Sequence, residues 1–103
     1  MTLGRLSAVD IDAGTNTLIY TVPARSTKFS ATVNICNRND SDVVIWLALV
    51  DGVLADLVDA DYIEYDITVR AGGLIERSDI RMIEGQSLIG YSDSSNVNFQ
   101  VWA

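Results

Sequence analysis

The side chains best suited to chemistry are acidic and crowd one segment: Asp51, Asp56, Asp59, Asp61, Glu64 and Asp66 all fall within DGVLADLVDADYIEYD. Carboxylates at that density could hold a hard cation such as calcium. A helix–loop–helix calcium site needs oxygen ligands at alternate positions, then a glycine and a distal glutamate, and that order is absent. A looser calcium site between loops stays open, to be decided by calorimetric titration; the other reading is a solvated, self-repelling loop. Paired carboxylates are a second chemistry. Asp10 with Asp12, or Glu64 with Asp66, lie two apart, share a face of a strand and could flank a glycosidic bond. Acidic β-domains produce that spacing by chance, so it does not single out a glycosidase.

What is missing narrows the field further. The 103 residues contain no histidine, which removes Ser-His-Asp and Cys-His catalysis, His-based zinc sites and the commonest general base. Cys36 is the single cysteine, so no internal disulfide can form, and its expected place is that of a small core residue. Ala71-Gly72-Gly73 lacks the lysine of a phosphate loop, and Arg70 and Arg77 read as decoration of strand edges. Asn39-Asp40-Ser41 matches a glycosylation acceptor but reads as a turn. No catalytic residue, cofactor or metal ligand is therefore expected, and the chain is not expected to be an enzyme. Seven basic against fourteen acidic residues give a net charge of −7 and a pI near 4.2, which disfavours nucleic acid and anionic membranes as partners. The longest apolar run, Val43 to Val50, is too short to span a bilayer. The opening MTLGRLSAVD has no extended apolar stretch of the kind a secretory signal carries.

The elements that would position these residues are strands. Residues 1–12 read as an arm or edge strand and 13–103 as a single domain. Thr15 to Val22 is rich in β-formers, with Leu18, Tyr20 and Val22 on one face and Thr17, Ile19 and Thr21 on the other. Thr27 to Cys36 alternates cleanly: Phe29, Ala31, Val33 and Ile35 inward, Lys28, Ser30, Thr32 and Asn34 outward. The polar turn 37–40 then leads into Ser41 to Val50, and a hairpin between these two strands is expected. Asp51 to Asp61 reads as a loop with one short helical turn. Tyr62 to Val69 puts Ile63, Tyr65, Ile67 and Val69 on one face. Leu74 to Ile83 reads as one or two strands joined near Ser78-Asp79, and Ser87 to Tyr91 and Val97 to Trp102 complete the set. Seven or eight short strands without a long helix predict an antiparallel β-sandwich, jelly-roll or immunoglobulin-like.

One strand raises a burial problem. In Ser41 to Val50, Val44, Trp46, Ala48 and Val50 point one way while Val43, Ile45, Leu47 and Leu49 point the other. Leaving four large aliphatics in water would forgo on the order of 6–12 kcal/mol, comparable with the net stability of a domain. Either this chain or another copy must cover the second face. Trp46 reads as a core residue; Trp102 falls on the outward face of the last strand.

The order Leu18-Ile19-Tyr20-Thr21-Val22-Pro23-Ala24, Val33-Asn34-Ile35-Cys36-Asn37-Arg38 and Tyr62-Ile63-Glu64-Tyr65-Asp66 resembles a family of small structural proteins of tailed-bacteriophage virions. Gly73-Leu74-Ile75-Glu76-Arg77, Gly85-Gln86-Ser87-Leu88 and Asn96-Val97-Asn98-Phe99-Gln100-Val101-Trp102 extend the likeness over most of the chain from Thr15 onward. The resemblance implies a β-sandwich without catalysis, assembled in the host bacterial cytoplasm into the virion. It would be present there in many copies, decorating the capsid or forming part of the tail or its fibres, with other copies of itself and other virion proteins as partners. Trp102, Tyr62, Ile19, Leu47 and Leu49 are the expected assembly contacts, with Leu3 and Leu6 as a possible arm. The alternative is a module of a phage tail that recognises host-surface glycan through Tyr62, Trp102 and the acidic loop.

Overall fold

The alternation does build strands. The computed structural model describes residues 4–25 and 29–103, with Phe29 by its backbone alone, so the expectations for Leu3, Lys28 and the Phe29 side chain lie outside the described residues. The described residues form eight strands: β1 (Arg5–Ile11), β2 (Thr17–Thr21), β3 (Phe29–Asn37), β4 (Val43–Asp51), β5 (Tyr62–Val69), β6 (Leu74–Met82), β7 (Gln86–Ser92) and β8 (Val97–Trp102). They lie in two four-stranded antiparallel sheets, ordered β1-β8-β3-β6 and β2-β7-β4-β5. Every connection crosses from one sheet to the other except β4 to β5. That winding is the jelly roll. An immunoglobulin-like sandwich keeps its first two strands in one sheet, whereas β1 and β2 are divided here, so the two sandwich alternatives resolve.

The expected hairpin between residues 27–36 and 41–50 is not formed. β3 pairs with β6 and β8, and β4 pairs with β5 and β7. Alternation assigns a strand's faces but not its partners, and either strand could present its apolar face to a core from either sheet. The decisive residue is Asn37, whose side chain is buried where the chain passes between sheets. The two hydrogens of its Nδ2 are shared among the carbonyl oxygens of Ser41 at 2.9 Å, Val69 at 3.1 Å and Arg70 at 3.1 Å. Its Oδ1 accepts from Asn39 N at 2.9 Å and Asn39 Nδ2 at 3.0 Å. One amide thus ties the β3–β4 crossing to the end of β5, and a buried polar group has its partners.

The core lies between the sheets. Val33 and Ile35 of β3, Val43, Ile45 and Leu47 of β4, Leu88 of β7, and Val97, Phe99 and Val101 of β8 meet there with almost no exposure. The inward and outward sets expected for β3 are observed from Ser30 onward. Cys36, by contrast, is not a core residue. It follows Ile35, points to the outer face opposite Asn98 and Leu74, and is half-buried. Gly90 lets Phe99 pack close, since a Cβ there would stand 3.0 Å from the Phe99 ring and 3.1 Å from Ile19 Cδ1.

The central pairs and the edges differ. β3–β8 and β4–β7 run in unbroken register, but the pairing of each edge strand, β1, β2, β5 and β6, is interrupted by a bulge or irregularity. In β6 the interruption falls at Ser78-Asp79, where Asp79 takes φ 58°, so of the one or two strands expected there the chain forms one, with a break in its pairing. In β5 the register slips twice and Asp66 takes φ 52°. Within the stretch read as an arm or edge strand, Arg5–Ile11 is an edge strand, β1, paired to β8.

Candidate interaction surfaces

The burial problem of β4 has an internal answer. Val43, Ile45, Leu47 and the half-buried Leu49 face the inter-sheet core, so the opposite face, with Val44, Trp46, Ala48 and Val50, is the outer surface of its sheet. Two covers lie on that surface, and both come from this chain. Towards one end, Ala48, Val50 and Ile89 are buried beneath Leu54, Leu57 and Tyr62. Leu54 and Leu57 belong to the β4–β5 connection, the acidic stretch, which folds into two 3-10 turns, Leu54–Asp56 and Asp59–Asp61. A loop that carries an aspartate at nearly every turn is therefore also a hydrophobic lid.

The loop's carboxylates serve its own backbone. Asp56 Oδ2 accepts from Val53 N at 3.0 Å, and Asp61 Oδ2 accepts from Val58 N at 3.0 Å, the same closure repeated five residues on. Aspartate satisfies the otherwise unpaired amide at the start of each turn. Asp51 Oδ1 accepts from Gln86 Nε2 at 2.7 Å, and Ser87 Oγ donates to Gly52 O at 2.5 Å, which hooks the start of the loop onto β7. Glu64 pairs with Arg77 at 2.6 Å across the open side of the sandwich. Among the described residues no three of the acidic side chains converge as metal ligands would.

Towards the other end of the same surface stands an aromatic stack. Trp46 lies between Tyr65, at 4.7 Å and 10° between ring planes, and Tyr91, at 4.1 Å and 18°. Tyr62 meets Trp46 edge-on at 5.6 Å and 74°, and Tyr65 at 5.1 Å and 69°. The indole Nε1 donates to Asp66 Oδ1 at 2.7 Å. Trp46 is thus not a residue of the inter-sheet core but the centre of an outer cluster. Stacked and edge-to-face pairs of this kind contribute about 0.5–1.5 kcal/mol each beyond the area they bury. The sequence placed Tyr65 inward with Ile63 and Ile67; it is 54% exposed, because the irregularities of β5 carry it to the same side as Tyr62. Burial raises the Tyr62 phenol above its ordinary value, and Tyr65 and Asp59 add to the effect. Asp59, Tyr62 and Tyr65 line a surface concavity of about 370 Å³.

The other sheet's outer face is mostly polar, with Leu74 exposed beside Cys36 at one edge. Asn34 and Thr32 of β3, Asn98 and Gln100 of β8 and Ala8 and Asp10 of β1 line it, with Arg38 paired to Asp10. Trp102 stands there at 38% exposed, flanked across the strands by Arg5 and Thr32, with Leu6 37% exposed in the bulge of β1. Comparison with protein-family models, curated proteins and solved structures found no match.

Of the expected contact residues, Trp102 and Leu6 are on the outside, Tyr62 is half-buried in the aromatic cluster, and Leu3 lies outside the described residues. Ile19 and Leu47 must be withdrawn: both are buried between the sheets, as is most of Leu49. Ile19 turns inward because the pairing of β2 with β7 shifts between Leu18 and Tyr20, which leaves Leu18 exposed instead. Tyr62 and Trp102 belong to opposite outer faces, so a glycan platform built from both with the acidic loop is not assembled. The sequence missed Tyr65 and Tyr91 as companions of Trp46. Tyr91 meets Trp46 only through the pairing of β7 with β4, which alternation does not give, and the orientation of Tyr65 depends on the irregular register of β5. Among the described residues no helix is long and apolar enough to cross a membrane.

Proposed function

We propose that this chain is a non-enzymatic structural subunit of a tailed-bacteriophage virion, present in many copies and either decorating the capsid or forming part of the tail or fibre. The likeness of its residues to that family motivates the reading. The jelly roll is compatible with it, since the same winding recurs in viral capsid domains, although a fold by itself implies no function. The observation that carries the reading is the contrast between edges and faces. All four edge strands are interrupted in their pairing, which blunts strand-to-strand addition, while broad, pre-organised faces carrying Trp102, Leu6 and Tyr65 are left exposed. Association then proceeds face to face, and many weak copies add to firm attachment.

The test is a density map of intact particles together with mass spectrometry of purified virions. The reading expects this chain at high copy number with its neighbours packed on sheet faces. Absence from purified particles overturns it, and contacts made by strand addition at β1, β2, β5 or β6 would overturn the face-to-face part while leaving the virion assignment standing.

A further inference from the structure

The concavity at the start of β5 combines two aromatic walls with a carboxylate unpartnered among the described residues. Tyr62 and Tyr65 meet at 69° with centroids 5.1 Å apart, so their rings form two walls of a corner. The carboxylate of Asp59 completes the lining. Unlike Asp51, Asp56, Asp61, Glu64 and Asp66, whose carboxylates accept hydrogen bonds, Asp59 has neither a hydrogen bond nor an ion pair among the described residues.

We infer that the corner formed by Asp59, Tyr62 and Tyr65 receives a cationic side chain, arginine or lysine, presented by a partner polypeptide. An ammonium or guanidinium group over an aromatic face is attracted by the ring quadrupole, and a neighbouring carboxylate adds a charge-assisted hydrogen bond. Among the described residues no cation fills the place. The described ion pairs, Arg38 with Asp10, Arg77 with Glu64 and Arg81 with Asp79, all lie elsewhere. The net charge of −7 draws basic segments towards the molecule. At about 370 Å³ the concavity admits the head of one long side chain. A sugar ring is the poorer occupant. A neutral saccharide would leave the Asp59 carboxylate in the lining without a charge partner. A cation is served by one wall and a carboxylate. The inference does not rest on the virion reading; it holds for any partner that presents the cation.

The probe is acetyl-arginine amide, with acetyl-citrulline amide as its neutral isostere, titrated into the folded full chain while the tyrosine ring signals are followed by NMR. Saturable shifts confined to Tyr62, Tyr65 and the stacked Trp46 are expected with arginine and not with citrulline. Asp59→Asn should weaken the arginine site by about tenfold, and Tyr65→Leu by a similar factor. Asp59 is exposed, and its replacement is isosteric, so that variant stays folded and decides the matter even if Tyr65→Leu does not fold. Equal shifts with arginine and citrulline, no shifts at all, or unchanged affinity in Asp59→Asn would each overturn the inference. Shifts of the same signals by an oligosaccharide but not by arginine would overturn it in favour of sugar recognition. Loss of the chain from purified particles would remove the virion reading and leave this result untouched.

Discussion

Trp46 and Trp102 hold comparable posts: each points outward from an inner strand of its sheet, β4 in one and β8 in the other. Around Trp46 the chain has built a housing of three tyrosines, an indole hydrogen bond to Asp66 and, alongside, the leucine lid of the β4–β5 loop. Around Trp102 it has built nothing of the kind, and among the described residues no aromatic ring pairs with it. The difference follows from the strands beneath. β4 is apolar on both faces, so its outer side must be roofed before the monomer is stable. β8 alternates Val97, Phe99 and Val101 with Asn98 and Gln100, so its outer side is at ease in water and one exposed tryptophan costs little. An apolar outer face with an internal roof is a structural device, whereas a lone tryptophan on a polar face is free to meet a partner.

The largest expected effect comes from the face common to both readings of β4. Leu47 is fully buried between the sheets, so Leu47→Asp places an unpaired carboxylate in the core and should cost on the order of 5 kcal/mol or more, enough to unfold a domain of this size. Circular dichroism of the purified variant is the measurement. A folded Leu47→Asp chain that merely fails to associate would mean that Leu47 faces a neighbour, and the internal roof would lose its purpose.

The two tryptophans themselves supply the next test. Trp46→Leu removes the centre of the stack and orphans the Asp66 carboxylate, with an expected loss of about 2–4 kcal/mol in urea unfolding. Trp102→Leu should stay within about 0.5 kcal/mol of the parent and, under the virion reading, should impair attachment to particles. Equal destabilisation by both would erase the contrast between the faces. A stable Trp46→Leu with a crippled Trp102→Leu would reverse it.

How much of this was legible in the residues depended on what decides each feature. Strand positions and core faces rest on local alternation, and β3, β4 and β8 display it openly: Val33 and Ile35, Ile45 and Leu47, Phe99 and Val101 all lie where period two puts them. Partnership rests on tertiary contacts, so the hairpin expected of β3 and β4 gave way to a crossing held by Asn37, a residue whose five side-chain hydrogen bonds leave no trace in a polar turn's composition. Bulges defeated the rest. Ile19 and Tyr65 lie on the sides opposite to those that strict alternation predicts, because the register slips around them. The acidic loop was the least readable segment, since Leu54 and Leu57 signal a lid only once Ala48, Val50 and Ile89 are known to need one.

The smallest effect is also the most local, and it asks whether the roofed face is desolvated as its packing implies. Burial first, then Tyr65 and Asp59, raise the Tyr62 phenol above its ordinary value of 10.0. A raised phenol means that the folded chain favours the protonated form. Below about pH 10 both folded and unfolded chains hold that proton and stability is unaffected. Above it the unfolded chain releases the proton first and binds fewer protons than the folded one, so stability falls as pH climbs through the folded value. Tyr62→Phe has no proton to release there. Melting temperatures followed from about pH 9 to 11 should therefore decline less steeply in Tyr62→Phe than in the parent. Parallel declines would place the Tyr62 hydroxyl in open water, and the aromatic cluster would then be a surface ornament no better housed than Trp102.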